Sequence, residues 1–320
     1  MNILIEPAIT LPPLSAKQKE LICEAAGGHA TIVETENQIE IIEFSPQVDV
    51  IFGTIFPSLL EKAPKLKWVH ATASGIDFML FPAFVESKII LTSEKGLVGP
   101  HLADHAMGLL LAITRRIGEA IRDERQSWRH RVQYRQKQLE LEGLTMGIVG
   151  FGGTGKALAA RASGFGMKVA AVDLVPIEDK YARVEGMDKL DKLIAQSDVV
   201  AIGLPLTRDT RHLFDTNLIA KMKRHAILIN VTRGEIIEPH ALIKALQSGH
   251  LGGAGLDVFT EEPLSEYDPL WDIPTVVMTP HTAGGSQHRS QRNINRFLEN
   301  LGRFKRGEPL MGKVDKHAGF

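Results

Sequence analysis

The stretch TMGIVGFGGTGKALAARASGFGMKVAAVD, residues 145–173, sets an apolar run before a glycine loop, then a small-residue helical pattern and a second apolar run. TMGIV and MKVAAV carry almost no polar side chain, as expected for strands buried on both faces of a sheet. Between them Gly150, Gly152 and Gly155 fit G-x-G-x-x-G. Each glycine answers a separate need: a tight turn, close approach of backbone to a pyrophosphate, and close packing of helix on strand. The following helix offers unpaired N–H groups and the positive end of its dipole to phosphate charge. A lone glycine pattern is weak, but here a strand precedes it, a helix follows, and a second strand completes the unit. The stretch reads as a dinucleotide-binding βαβ unit whose loop includes Gly153 and Thr154.

The second run ends at Asp173, 18 residues past Gly155. A carboxylate at that place accepts hydrogen bonds from ribose hydroxyls and repels a 2′-phosphate. Leu174, Val175 and Pro176 follow it, with no Arg or Lys to receive such a phosphate. NAD(H) is therefore the expected cofactor, and no metal site is expected.

Outward from this unit the same alternation continues. DVVAIGLP, HAILINV, GGAGLDVF and TVVMTP read as further strands of the series. Before it, NILIE, VDVIFGT, LKWVHAT and KIILTS read as strands, with SAKQKELICEAA and PSLLEKAP as helices between them. Strands alternating with helices predict parallel sheets with crossover helices. GPHLADHAMGLLLAITRRIGEAIR, from residue 99, reads as one long helix with Leu102, Ala106, Leu109, Leu110 and Ile113 on its apolar stripe. The charged segment RDERQSWRHRVQYRQKQLELEG after it reads as a solvated excursion. SQHRSQRNINRFLENLGRFKRG closes the chain as an amphipathic helix with Ile294, Phe297, Leu298 and Leu301 on one side. The fold class is α/β, with two doubly wound parallel-sheet domains: 1–98 plus 284–320, and 99–283.

Composition excludes several classes of partner. Thirty-seven basic residues against 38 acidic ones give no net field for nucleic acid or an anionic membrane. One cysteine, Cys23, fits a reducing, cytoplasmic compartment. No apolar run approaches the roughly 20 residues of a membrane helix. MNILIEPAIT reads as a first strand and not a signal peptide, having no positive n-region.

In an open α/β sheet, ligands collect beyond the carboxyl ends of the strands. HAILINV ends in TRGE, giving Arg233; GLDVF ends in TEEP, giving Glu261 and Glu262; TVVMTP ends in HTAGG, giving His281. Singly, each has an ordinary explanation, because strand ends are wet and charges are cheap there. Together, beside a dinucleotide, they are what hydride transfer at a 2-hydroxy acid requires. A guanidinium forks onto carboxylate and keto oxygens. An imidazole moves the hydroxyl proton near neutral pH. A carboxylate on its far ring nitrogen fixes the tautomer.

The motifs VGFGGTGK, LPLTRDTRHLF, LINVTRGEII, GLDVFTEEPL and TPHTAGGS resemble, in order and spacing, the D-isomer-specific 2-hydroxyacid dehydrogenases. Weaker agreement extends to LTSEKGLVGPHLADHAMGLLLAITR, so the likeness covers most of residues 66–300. It implies a catalytic set of Arg233, Glu262 and His281, with Glu261 a solvated neighbour. It further implies that Ser74, Gly75 and Ile76 hold the substrate carboxylate and that Asp257 meets the nicotinamide carboxamide. Leu204, Pro205, Val231 and Thr232 would line the rest of the cofactor, which His281 also faces. The family fold is two Rossmann-like domains with a cleft between them, usually a homodimer through the cofactor domains. Ser93 stands where asparagine is common, and Asp104 where glutamate is more frequent. Glu262, being glutamate and not glutamine, argues against the formate dehydrogenase branch, and the end at Phe320 leaves no room for a regulatory module.

The implied activity is NAD-dependent reduction of a small 2-keto acid such as glyoxylate, hydroxypyruvate or pyruvate. The alternatives are an NADH-sensing binding scaffold of the corepressor type and oxidation of another small anion such as phosphite. Phe52, Ile55 and Phe56 are candidates for a pocket beside the substrate or for core packing. Arg289, Arg292, Arg296 and Arg303 of the last helix read as solvated or interfacial.

Overall fold

A computed structural model describes residues 1–320 and divides them into two compact units, Met1–Val98 with Gly285–Phe320, and Gly99–Gly284. The first unit holds five parallel strands: β1 (Asn2–Ile5), β2 (Thr31–Glu34), β3 (Val50–Phe52), β4 (Trp68–His70) and β5 (Ile90–Thr92), in the order β2-β1-β3-β4-β5. That is the doubly wound order of flavodoxin-like folds. Alternation along β1 feeds both faces: Leu4 packs with Ile41, Leu59 and Phe84, while Ile3 and Ile5 pack with Ile22, Phe297 and Leu301. The Arg289–Arg306 helix returns to this unit because its stripe needs that second face. Phe297 stacks on Phe52 with ring centroids 4.2 Å apart. Phe52 and Ile55 are thus core residues and not a pocket lining, and Phe56 is half-buried against the same core.

The second unit builds an eight-stranded sheet from β6 (Thr145–Val149), β7 (Lys168–Asp173), β8 (Ile177–Glu178), β9 (Arg183–Gly186), β10 (Val199–Ile202), β11 (Ile227–Asn230), β12 (Gly253–Leu256) and β13 (Val276–Met278). Their order is β13-β12-β11-β10-β6-β7-β9-β8, parallel throughout except for the edge pair β8–β9. The chain reverses direction across the sheet between β6 and β10, the switch point at which such folds bind ligands. Separate apolar clusters cover the two faces, one through the Gly99–Thr114 and Gly153–Gly164 helices, the other through the Pro239–Gln247 helix.

Two expectations change. The long helix from residue 99 stops at Thr114; Arg116 takes a left-handed φ of 58° and a second helix, Ile117–Arg122, follows. A helix cannot pass through a left-handed residue. The charged segment is the solvated excursion expected, with no buried residue in its helical turn at Glu124–Trp128 or its helix at Arg131–Lys137. Trp128 is 80% exposed on it. Finally, β2, β8 and β9 add three strands that the apolar runs do not announce.

Candidate active site

The glycine loop carries out the steric work read from its sequence. Gly150 has a φ of 96°, and a Cβ there would stand 2.7 Å from the Gly203 carbonyl carbon. A Cβ on Gly155 would meet the Gly150 carbonyl oxygen at 2.3 Å. These contacts press the turn against both its own helix and the loop after β10, which carries buried Leu204 and exposed Pro205. Gly152 differs: nothing lies within 4 Å of where its Cβ would be. It is also the N-cap of the Gly153–Gly164 helix, with no side chain capping the helix end. Uncapped N–H groups facing open space suit a phosphate. One oxygen of Asp173 accepts the Phe151 N–H of this loop and the other accepts the Leu174 N–H at 2.7 Å. Each carboxylate oxygen has a further lone pair for a ribose hydroxyl.

Beyond the switch point, β11, β12 and β13 are parallel neighbours, with Asn230, Leu256 and Met278 in register. Strands in a sheet lie about 5 Å apart, so the loops that follow leave one rim side by side. On the first, buried Asn230 donates to the Arg233 carbonyl at 2.8 Å and accepts the Thr232 N–H and hydroxyl, each at 3.0 Å. That side chain fixes the path of Val231, Thr232 and Arg233. The half-buried Arg233 guanidinium donates from Nη1 to the Thr232 carbonyl at 2.9 Å. Next to it, a Cβ on Gly234 would fall 2.0 Å from the Phe259 carbonyl carbon. Only glycine lets the arginine loop lie flush on the segment leading to Glu262.

Glu262 uses both oxygens. Oε1 accepts the Phe259 N–H at 2.9 Å, and Oε2 accepts from His281 Nδ1 at 2.7 Å. The proton of the imidazole is thereby held on Nδ1, leaving Nε2 unengaged. His281 has a left-handed φ of 52°, supported by donation of its N–H to the Asp257 carbonyl at 2.8 Å. Its side chain is 47% exposed, against 35% for Glu262. Glu261 is exposed and takes no part.

Asp257 lies behind the segment that carries His281. Its side chain is fully buried. It accepts the Thr279 hydroxyl at 2.6 Å and the Thr282 and Ala283 N–H groups at 2.8 Å each. Its role in this unit is to tie down the loop that carries His281. Asn230 and Gly234 were not singled out in the sequence. The signal for Asn230 is an amide closing an otherwise apolar run, ILIN.

In the first unit, Ser74, Gly75 and Ile76 follow β4, with Ile76 buried and the other two half-exposed. The Glu94 N–H donates to the Ala73 carbonyl at 3.2 Å, bracing this turn from the end of β5. Glu94 is itself buried, and Arg289 donates to its Oε2 from Nε at 2.9 Å. Burial pushes the Glu94 carboxyl above its ordinary pKa, and the arginine opposes the shift. Arg289 therefore belongs to a largely buried ion pair rather than to a solvated helix face.

The family model for the NAD binding domain of D-isomer specific 2-hydroxyacid dehydrogenases matches residues 107–283. A glyoxylate reductase of Korarchaeum cryptofilum is 38% identical over 266 residues, covering 82% of this chain and 80% of that protein. The chain belongs to the D-isomer specific 2-hydroxyacid dehydrogenase family. A solved member from Aeromonas salmonicida is 31% identical, with a TM-score of 0.80 over 98% of this chain and 99% of that one. The NADPH-dependent glyoxylate/hydroxypyruvate reductase of Sinorhizobium meliloti, solved with NADP and sulfate, is 26% identical, with a TM-score of 0.81 over 100% of each chain. The protein is thus an oxidoreductase of the 2-hydroxy-acid/2-keto-acid class, and its Gly99–Gly284 unit carries the NAD-binding domain. The scaffold alternative finds no favour among these reductases. No helix is long and apolar enough to cross a membrane.

Proposed function

We propose that the protein reduces small 2-keto acids of the glyoxylate and hydroxypyruvate type with NADH, through Arg233, Glu262 and His281. The observation that carries this reading is the His281–Glu262 hydrogen bond, 2.7 Å long, on the rim shared with Arg233. With its pyrophosphate held by the glycine loop, NADH would supply a hydride to the keto carbon. Arg233 binds the substrate carboxylate and keto oxygen as a fork and stabilises the charge that develops on that oxygen. His281 gives the Nε2 proton to the oxygen, completing the 2-hydroxy acid. Glu262, accepting from Nδ1, holds the ring in the orientation this transfer needs and steadies the imidazolium before it. Backbone at Ser74, Gly75 and Ile76 is assigned to the substrate carboxylate. Gly150, Gly152, Gly153, Thr154 and Gly155 are assigned to the pyrophosphate, Asp173 to the ribose, and Leu204, Pro205, Val231 and Thr232 to the remainder of the cofactor.

The choice of NADH rests on Asp173, with the apolar, exposed Leu174 and Val175 beside it. The Sinorhizobium meliloti relative was solved with NADP, and the two cofactors are the arms of the test that follows. Homodimer formation is part of the reading: Ile117, Ile121, Trp128 and Val132 are exposed along one segment of the cofactor-binding unit. The near-neutral chain and single cysteine support a cytoplasmic enzyme of small molecules, with no nucleic-acid partner.

The test is cofactor oxidation by purified protein with glyoxylate, hydroxypyruvate, pyruvate and a bulky aryl keto acid, using NADH and NADPH in turn. Efficient turnover of the small acids with NADH is expected. Turnover confined to NADPH would overturn the cofactor choice, and turnover of none of the acids would overturn the substrate class.

A further inference from the structure

A histidine outside the Arg–Glu–His set sits behind the loop that carries His281. His105 lies on the Gly99–Thr114 helix, and its Nε2 is 2.7 Å from the Thr279 hydroxyl and 3.4 Å from Asp257 Oδ1. Its place is set by a match of two periods. A Cβ on Gly253 would lie 2.9 Å from Ile113, and one on Gly255 would lie 2.8 Å from Leu109, so the helix crosses β12 in close contact. Each step of four residues back along the helix covers about 6 Å. Each step of two residues forward along the strand covers about 6.6 Å. The pairing Ile113 with Gly253 and Leu109 with Gly255 therefore continues to His105 with Asp257.

The hydrogens can be placed by counting. The Thr279 hydroxyl has one hydrogen, and the Asp257 carboxylate 2.6 Å away takes it. The contact with His105 must then be a ring N–H donating to the Thr279 oxygen. The order is His105 to Thr279 to Asp257, and Asp257 in turn receives the Thr282 and Ala283 N–H groups while its carbonyl receives that of His281. Thr279 and Asp257 thus bracket His281 and are oriented from behind by one imidazole.

We propose that His105 is a positioning residue for His281, acting through Thr279 and Asp257 to hold residues 279–283 in the conformation that presents the imidazole. With His105 gone, the Thr279 hydroxyl loses the donor that orients it, and the loop gains freedom at the residue that transfers the proton. The rate consequence rests on the proposed function; the structural consequence does not.

The experiment compares His105→Leu, His105→Gln and Thr279→Val in the full chain. Two readouts are taken: steady-state reduction of glyoxylate by NADH, and the ring signals of His281 in the NMR spectrum, assigned by their loss in His281→Ala. His105→Leu and Thr279→Val should each lower kcat about tenfold or more while KM for NADH stays within about twofold. Both should move or broaden the His281 signals. His105→Gln, whose side-chain amide still offers a donor toward Thr279, should recover most of the rate and the native signals. If His105→Leu fails to fold, Thr279→Val carries the same test with a side chain of the same shape. Unchanged kcat and signals in the variants overturn the proposal, as does a His105→Gln enzyme no better than His105→Leu. If the unaltered enzyme reduces no keto acid, the functional reading fails and the His281 signals alone judge His105.

Discussion

Glu262 holds His281 with one carboxylate oxygen, 2.7 Å from Nδ1, and holds its own turn with the other, 2.9 Å from the Phe259 N–H. The two demands differ in kind, because both partners are donors and only a carboxylate accepts from both. Glu262→Gln turns one oxygen into an N–H₂ group, so either one donor is left unpaired or the imidazole switches to the tautomer with its proton on Nε2. The variant should lose kcat on the order of 10²-fold, a typical share of assisted proton transfer. KM for NADH should hold. Steady-state kinetics decide the matter, and a Gln variant with ordinary turnover removes Glu262 from the mechanism.

Arg233 is followed by a glycine and preceded by a threonine whose carbonyl its guanidinium meets at 2.9 Å. An ammonium is a point charge and cannot reproduce a planar fork. Arg233→Lys should raise KM for the keto acid and lower kcat/KM by about 2–4 kcal/mol of transition-state stabilisation, the scale of one lost electrostatic contact. Unchanged saturation by the keto acid counts against the assignment.

Gly234 tests how the rim is built rather than what it does. A Cβ would fall 2.0 Å from the Phe259 carbonyl carbon, backbone that no rotamer change can clear. Gly234→Ala should cost about 1–3 kcal/mol of stability, the usual range for overpacking, and should reduce turnover by displacing the arginine loop. Urea unfolding and kcat measured together check it. An Ala variant of full stability means that the two loops are not in contact.

His70 gives a prediction in pH. It is buried between the Thr92 hydroxyl, 2.6 Å from Nδ1, and the Asn293 side-chain oxygen, 2.9 Å from Nε2. Burial pushes its pKa down to about 3, with the Asn293 hydrogen bond opposing. The folded state therefore keeps His70 neutral where the unfolded chain, at its ordinary 6.5, takes up a proton. Stability from this site is present above pH 6.5 and is lost as pH falls toward about 3. Urea unfolding from about pH 7 to about pH 4 should show a shallower decline for His70→Gln than for the unaltered protein. Parallel declines would assign the acid sensitivity to other groups.

Much of this was legible because buried parallel strands leave unbroken apolar runs, as in VVAI, ILIN and GIV. The edge strands β2 and β8 left none: TIVE is half-exposed and β8 is only Ile177–Glu178, and an edge strand needs no two-faced apolar pattern. The break at Arg116 was hidden for a different reason, since a left-handed arginine carries no local mark as glycine does. Within the site, Asp257 and Glu262 are both acids past the end of the same strand, five residues apart. Which one faces His281 Nδ1 and which is enclosed behind the loop follows from tertiary hydrogen bonds, not from residue type. His105 was passed over because it extends an apolar helix stripe, and only the crossing with β12 gives it a partner.

The proposed reduction takes its proton from His281. Its most direct measure is a single turnover of His281→Ala with NADH and glyoxylate at saturating concentrations, beside fluorescence titration of NADH. The rate should fall by about 10²–10⁴-fold while NADH binding stays unchanged. A single-turnover rate within about twofold of the unaltered enzyme would contradict the claim, since a loss that small leaves no proton-transfer role to assign.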